Sequence, residues 1–184
     1  MREMLVLLNG APGVGKLTVG RELSSLLEAR LLDVHTVYNL SFALTEFKSE
    51  AFFKTIRSVW ALADELISEL PVDETIVFTE TLAAGSPWAE ETWARYERLA
   101  KERGPLCSIH LSCSLDENSR RISSIGRSDK RKPQDPEYAR SWHERDRPLM
   151  GYATERLLTL ETTNLSAGEA AQSIRKWIHS EILS

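Results

Sequence analysis

At 184 residues the chain can bury an independent core in one domain, and with 42% hydrophobic and 27% charged residues it has the make-up of a globular protein, not of a disordered or fibrous one. A net charge of −4 argues against wholesale nucleic-acid or membrane-surface binding, which selects a basic face. No run approaches the roughly 20 apolar residues of a membrane span, and the first residues lack the basic and apolar segments of a secretory signal, so a cytoplasmic location is expected.

The chain opens with an apolar run of strand length that meets a glycine-rich turn and then a helix-forming sequence, all within Met4 to Thr18, MLVLLNGAPGVGKLT. Gly10, four residues, Gly15 and Lys16 form the pattern of a phosphate-binding loop. Gly10, Gly13 and Gly15 have no Cβ, so the backbone can adopt positive φ and turn successive N–H groups around phosphate oxygens. The helix that starts beside them adds unpaired N–H donors and its dipole, and Lys16 adds a mobile charge for the β and γ phosphates. The candidate nucleotide contacts are Gly10, Ala11, Pro12, Gly13, Val14, Gly15, Lys16, Leu17 and Thr18. The alternative is a plain turn between a strand and a helix, with Lys16 exposed to solvent.

Residues 14–29 repeat apolar positions at helical spacing, and residues 30–34 are a second strand closing on Asp33, His35 and Asn39. A carboxylate at the carboxyl end of such a strand faces the ligand crevice of a parallel sheet. Residues 50–70 form a long amphipathic helix, on which Arg57 could reach a substrate anion. Residues 39–54 show packing residues without a decisive polar pattern. A third strand, 74–80, ends at Thr79 and Glu80, which face the same crevice; a helix over 88–103 stops at Gly104 and Pro105.

A fourth strand, 106–113, carries Cys107, His110 and Cys113. The even spacing puts both thiols on one side, too far apart to bridge, and both read as reduced core residues; the histidine reads as packed core. After a short helix at 116–125 comes a basic, breaker-bounded stretch with Arg120, Arg121, Arg127, Lys130, Arg131 and Lys132, suited to folding over phosphates as a lid spanning about 120–136. A helix over 138–147 with Arg140, Arg145 and Arg147, a fifth strand at 156–162, a turn through Thr163, Asn164 and Leu165, and a helix over 167–183 complete the chain. Ser166 or Thr163 could cap that last helix. Alternating strands and helices indicate one α/β domain over 1–184: a doubly wound, mainly parallel five-stranded sheet with helices on both faces.

Where a generic phosphate loop has Ser or Thr after its lysine, this chain has Leu17 and then Thr18, which resembles the loop of the nucleoside monophosphate kinases. The order of features, from the loop through the carboxylate at Asp33 and the basic lid to the turn at 162–166, resembles the small-molecule branch of the P-loop kinases: shikimate kinase, gluconate kinase and chloramphenicol phosphotransferase. The segment DVHTVYN also looks like the D-N-H-x-x-N-N stretch of bacterial ATP-binding proteins labelled shikimate-kinase-like.

The resemblance implies ATP and Mg²⁺ as cofactors, with Thr18 serving the α-phosphate and the metal held largely through water, Asp33 included. It implies a hydroxyl-bearing small molecule as acceptor, oriented and deprotonated by Asp33, with His35, Asn39, Arg57 and Glu80 as candidate substrate contacts. Arg127 and Arg131 would cover the transferring phosphoryl, and Thr163, Asn164 and Leu165 would border the adenine. Asp33-Val34-His35 replaces the Asp-x-Asp of sugar kinases, and the third strand lacks the glycine run of shikimate kinase, so shikimate is not the expected acceptor. Competing expectations are a nucleoside monophosphate or RNA-end kinase, and a nucleotide-gated binding module without an acceptor.

Overall fold

The computed structural model describes residues 4–123, 135–145 and 147–183. Five strands, β1 (Leu5–Gly10), β2 (Arg30–Asp33), β3 (Ile76–Glu80), β4 (Leu106–Ser112) and β5 (Leu157–Glu161), form one parallel sheet in the order β2-β3-β1-β4-β5. β1 lies at its centre and is buried along its whole length, as expected of a strand covered on both faces. Its alternation decides which layer each side chain joins. Met4, Val6 and Leu8 pack with Val77, Ile109 and Leu111 against α1 (Lys16–Leu27) and α7 (Ala167–Leu183). Leu5 and Leu7 point the other way, to Phe78 and to Trp93, Tyr96 and Leu99 of α4 (Pro87–Arg103).

The helices begin and end where local chemistry demands. Ser49, Ser86 and Ser114 cap α3 (Glu50–Ser68), α4 and α5 (Leu115–Ile122) by accepting N–H bonds from Phe52, Ala89 and Glu117. Ser166 and Glu169 form a reciprocal capping box at the start of α7, so Ser166, and not Thr163, takes that role. Cys107 and Cys113 are buried free thiols of one core layer, and burial pushes the Cys107 thiol up to about 11. His110 is a packed residue whose Nε2 lies 2.9 Å from the carbonyl of Met150.

One element differs from the sequence expectation. Residues 34–44, left without an element, form α2 (Val34–Leu44), which buries only Val37 and Ser41 of its own chain. Its partner is α3: Val37 joins Phe52, Ile56 and Trp60 in a separate aromatic cluster, and the Ser41 hydroxyl donates to the Phe52 carbonyl. Arg120 and Arg121 lie on α5, within the helix expected over 116–125. Both pair with Glu117 one turn back, and Arg120, then Arg121, holds that carboxyl down to about 2. The helix α6 (Pro136–His143) starts at Pro136, with Asp135 as its cap.

At the carboxyl end of β1 sits a fully buried Asn9, whose four hydrogen-bonding positions are all used. Its amide donates to the carbonyls of Leu82 and Met150, at 2.9 and 3.1 Å, and its Oδ1 accepts from the N–H groups of Gly10 and Leu82, both at 2.9 Å. One side chain thus joins the start of the glycine-rich loop to the exits of two other segments. Asn9→Ala takes this acceptor from the Gly10 and Leu82 N–H groups in a dry site, so it is expected to lower stability by about 2 to 5 kcal/mol, read from the midpoint and slope of urea unfolding. A loss under about 1 kcal/mol would mean that the joint contributes little.

Candidate active site

The five parallel strands all end on one edge, and the glycine-rich loop crosses it at the centre. Gly13 and Gly15 have φ of 95° and 98°, values costly for any residue with a Cβ. Gly13 also has no room for one: an added Cβ would stand 2.6 Å from Ile122 and 2.7 Å from Asn118 of α5, whose Nδ2 donates to the Pro12 carbonyl at 3.0 Å. Gly15 occupies the N-cap position of α1 and offers no side-chain cap, so the helix meets the loop with its first N–H groups directed into the turn.

Lys16 is not the exposed side chain that the sequence suggests. It is half-buried, and its Nζ donates to the carbonyls of Gly10 and Ala11, each at 2.8 Å. The ammonium is curled over the loop that precedes it, because those carbonyls are the acceptors within reach of a flexible four-carbon stem. The cavity in front of the loop has a volume of about 600 Å³ and is lined by Gly13, Gly15, Lys16, Leu17 and Thr18 on one side and by Asp33, Thr79 and Glu80 on another.

The two carboxylates come from adjacent strands and sit in unlike surroundings. Asp33 ends β2 opposite Thr79 of β3, and its Oδ1 accepts the Thr79 hydroxyl at 2.5 Å. It occupies the N-cap position of α2 without making a side-chain cap bond; the Val34 N–H donates to Thr79 Oγ1 instead, at 3.3 Å. Glu80 ends β3 opposite Asn9 of β1 and is 2% exposed. Burial raises its carboxyl to about 7, while the Tyr96 hydroxyl, 3.1 Å from Oε1, Arg95 and Lys16 draw it back down. Arg95 is itself buried, paired with Asp64 and stacked 3.5 Å from the centre of the Trp60 ring.

His35 lies on the same cavity wall as Asp33, one helical position into α2. Asn39 lies farther along α2 and opens on a smaller recess of about 310 Å³, shared with Arg21, Asp33 and His35. Arg57 is a correction. It does not line the cavity, and its guanidinium makes two bonds of 2.6 and 2.8 Å to Glu91 of α4, so its charge is already matched. Arg127 and Arg131 lie outside the described residues. Arg140 stands 3.7 Å from Glu137, and the Arg147 guanidinium donates to the Gly85 carbonyl at 3.4 Å.

A second cavity, of about 740 Å³, lies behind the loop between Gly13, Val14, Arg121 and the turn through Thr163, Asn164 and Leu165. The turn is fixed by Thr162, whose hydroxyl donates to the Ser112 carbonyl at 2.9 Å, and by Thr163 Oγ1, which accepts the Ser114 N–H at 2.7 Å. Arg121 spans the space, donating to the carbonyls of Val14 and Thr162 at 3.0 and 2.9 Å. Sequence reasoning placed Thr79 at the crevice and Arg121 in the basic stretch, and gave no site role to Asn9, Tyr38, Phe42, Phe47 or Tyr138. Phe42 and Phe47 read as packing residues.

The buried carboxyl makes stability depend on pH in a definite direction. Glu80 has a higher affinity for its proton when folded, about 7 against 4.5, so its charging costs nothing below pH 4.5 and its full cost is present above pH 7. From this group alone the nucleotide-free protein should be more stable at pH 6 than at pH 8, by on the order of 1 kcal/mol. Glu80→Gln should remove that difference while keeping the acceptor for Tyr96, as read by thermal midpoints of both proteins across this range.

Residues 6–143 match the AAA domain family. No curated protein matches the chain in sequence. Among solved structures, shikimate kinase from Acinetobacter baumannii in complex with shikimate is similar at 23% identity and a TM-score of 0.64, over 98% of this chain and 95% of that one. APS kinase from Mycobacterium tuberculosis in complex with AMPPNP and APS is similar at 22% identity and a TM-score of 0.59, over 97% and 98%. A gluconokinase from Sinorhizobium meliloti 1021 follows at 13% identity and a TM-score of 0.54, over 97% and 96%. The chain belongs to the AAA domain family and has the fold of the P-loop small-molecule kinases.

Proposed function

We propose that the protein is an ATP-dependent phosphotransferase that moves the γ-phosphoryl of ATP to a hydroxyl of a small molecule. One observation carries the reading: a glycine loop with two positive-φ turns, the uncapped start of α1 and Lys16 face Asp33 and Glu80 across a single cavity. The loop N–H groups and Lys16 suit a triphosphate, and the cavity behind the loop, with Arg121 and the turn 163–165, suits its nucleoside. The similar kinases of shikimate, gluconate and APS support the same class without naming the acceptor.

Among the described residues no group of three or more His, Cys, Asp or Glu could hold a metal by itself. Mg²⁺ keeps its waters and takes one or two carboxylates together with phosphate oxygens; Glu80 would be one of them, acting largely through water, with Asp33 there only as the alternative to its role as base. When bound, Mg²⁺ neutralises charge on the β and γ oxygens. In the transfer the acceptor O–H proton passes to the carboxylate of Asp33 as the acceptor oxygen bonds to the γ-phosphorus. The bond from that phosphorus to the β–γ bridging oxygen breaks, and ADP leaves with its electron pair. The Thr79 hydroxyl fixes Asp33 for this step. Arg127 and Arg131 would cover the phosphoryl group and exclude water, which otherwise competes as acceptor.

Two substitutions test the assignment. Lys16→Ala should cut ATP turnover by about 10²-fold or more in a folded protein, since a charge placed on the transferring group acts mainly in the transition state. Asp33→Asn keeps the shape and the Thr79 contact but removes the proton acceptor. It should bind ATP normally and lose about 10²- to 10⁴-fold in acceptor phosphorylation. Full phosphorylation by Asp33→Asn would sink the base role. A parallel loss of Mg²⁺-dependent ATP affinity would move Asp33 to the metal.

A further inference from the structure

The wall of the main cavity beyond Asp33 is made of rings. Val34, Tyr38 and Phe42 recur every four residues along α2 and so share one helical face, which lines the cavity with His35; Phe47, from the turn after α2, and Tyr138, from α6, complete it. His35, Phe42 and Phe47 form a ladder of nearly parallel rings. His35 and Phe42 are 6.5 Å apart at 26°, and Phe42 and Phe47 are 5.9 Å apart at 29°. The ladder is held from behind. Phe42 packs on Phe52 at 5.3 Å, and Tyr38 is anchored through its hydroxyl, which accepts the Trp88 Nε1–H at 2.9 Å. Phe47 nevertheless keeps 64% of its surface exposed, and Tyr138 keeps 38%. Rings that line a cavity in this way favour a flat apolar partner that can stack on them.

Charge narrows the class. Among the described residues lining the cavity, Lys16 is the only lysine or arginine, and it belongs to the phosphate loop. Asp33 and Glu80 add negative charge where the acceptor hydroxyl must lie. Arg57, the arginine that sequence reasoning offered for a substrate anion, is held by Glu91 on the far side of Trp88. A carboxylate or phosphate seated against the ring wall would lose its water there with only the loop lysine as a cation among the described lining residues, which costs more than stacking returns.

We propose that the acceptor is an uncharged alcohol bearing an aromatic ring or comparable flat apolar group, stacked on Phe42 and Phe47, with its hydroxyl directed to Asp33. This rests on the phosphotransferase reading, whose transfer step it leaves unchanged, and it separates the chain from kinases of anionic acceptors such as shikimate.

The test is ligand-observed saturation-transfer NMR on the full chain loaded with AMPPNP, using 2-phenylethanol and benzyl alcohol as probes and shikimate and gluconate as hydroxylated anions. Release of ADP from ATP is measured with the same four compounds. The aromatic alcohols should bind and stimulate ADP release, and the anions should do neither. Phe47→Ala, at an exposed position that folding tolerates, and the milder Phe42→Leu should each weaken alcohol binding by about 10-fold, the scale of a lost stacking contact, with ATP affinity as the internal control. Tighter binding of the anions would overturn the acceptor class and leave the kinase reading standing, as would alcohol affinity within about 2-fold of wild type in both variants. Alcohol binding that depends on Phe47 without any stimulated ADP release would instead overturn the phosphotransferase reading, and with it the assignment of the ring wall to an acceptor.

Discussion

The whole site hangs on one fully satisfied amide. A parallel sheet delivers five strand ends to one edge, but it does not determine how the loops that leave those ends sit against one another. Asn9 does this for the loops that leave β1 and β3, and joins to them the segment that precedes β5. Its two donors and two acceptors join the N–H that begins the glycine loop to the chain leaving β3 and to the carbonyl of Met150. Because the joint is dry, no bond in it can be exchanged for one to water, so the three segments keep a common position. The Met150 carbonyl also meets His110 of β4, which ties a fourth element to the same point. The close fit of Gly13 against Ile122 and Asn118 then presses the loop onto α5, so the turn that would hold phosphate is fixed from both ends.

Much of this was legible in the sequence. The loop could be read because its glycines, lysine and flanking strand and helix form a local pattern whose chemistry needs no distant partner. The sheet could be read because buried parallel strands are written as continuous apolar runs, as in Leu5 to Leu8 and Ile76 to Phe78. What could not be read depended on distant partners. The helix α2 opens with Val34, Thr36 and Val37, residues that favour strands, and contributes two fully buried positions; it is held by packing on α3 more than by its own periodicity. Arg57 looked available because its partner, Glu91, is 34 residues away on another helix. Phe42 and Phe47 read as core because sequence gives no sign that a ring belongs to a wall and not to the interior.

The folding of α2 against α3 has a functional consequence that neither helix shows alone. The cluster of Val37, Phe52, Ile56 and Trp60 is separate from both layers of the sheet core, so the ring wall proposed for the acceptor is carried on a small subassembly, joined to α4 by the Arg57–Glu91 and Arg95–Asp64 pairs and by Trp88. Edge strand β2 is short and only partly buried, and it pairs with β3 alone. Such an arrangement lets the acceptor wall vary in its side chains without disturbing the phosphate loop, which rests on the central strands. That separation is consistent with a common fold whose similar members act on acceptors as unlike as shikimate, gluconate and APS.

The two carboxylates show how position can divide labour between like groups. Asp33 stands half-buried on the cavity wall and takes a hydroxyl donor from its neighbour strand. Glu80, one strand inward, is buried among Tyr96, Arg95 and the loop lysine, and burial makes its ionisation compete with solvation close to neutral pH. A cation arriving in front of the loop would stabilise the ionised form of Glu80, and loss of that cation would favour its proton. Filling the nucleotide site and charging Glu80 are therefore coupled by electrostatics alone. Asp33, with a polar partner and access to the cavity, has no such burial to overcome.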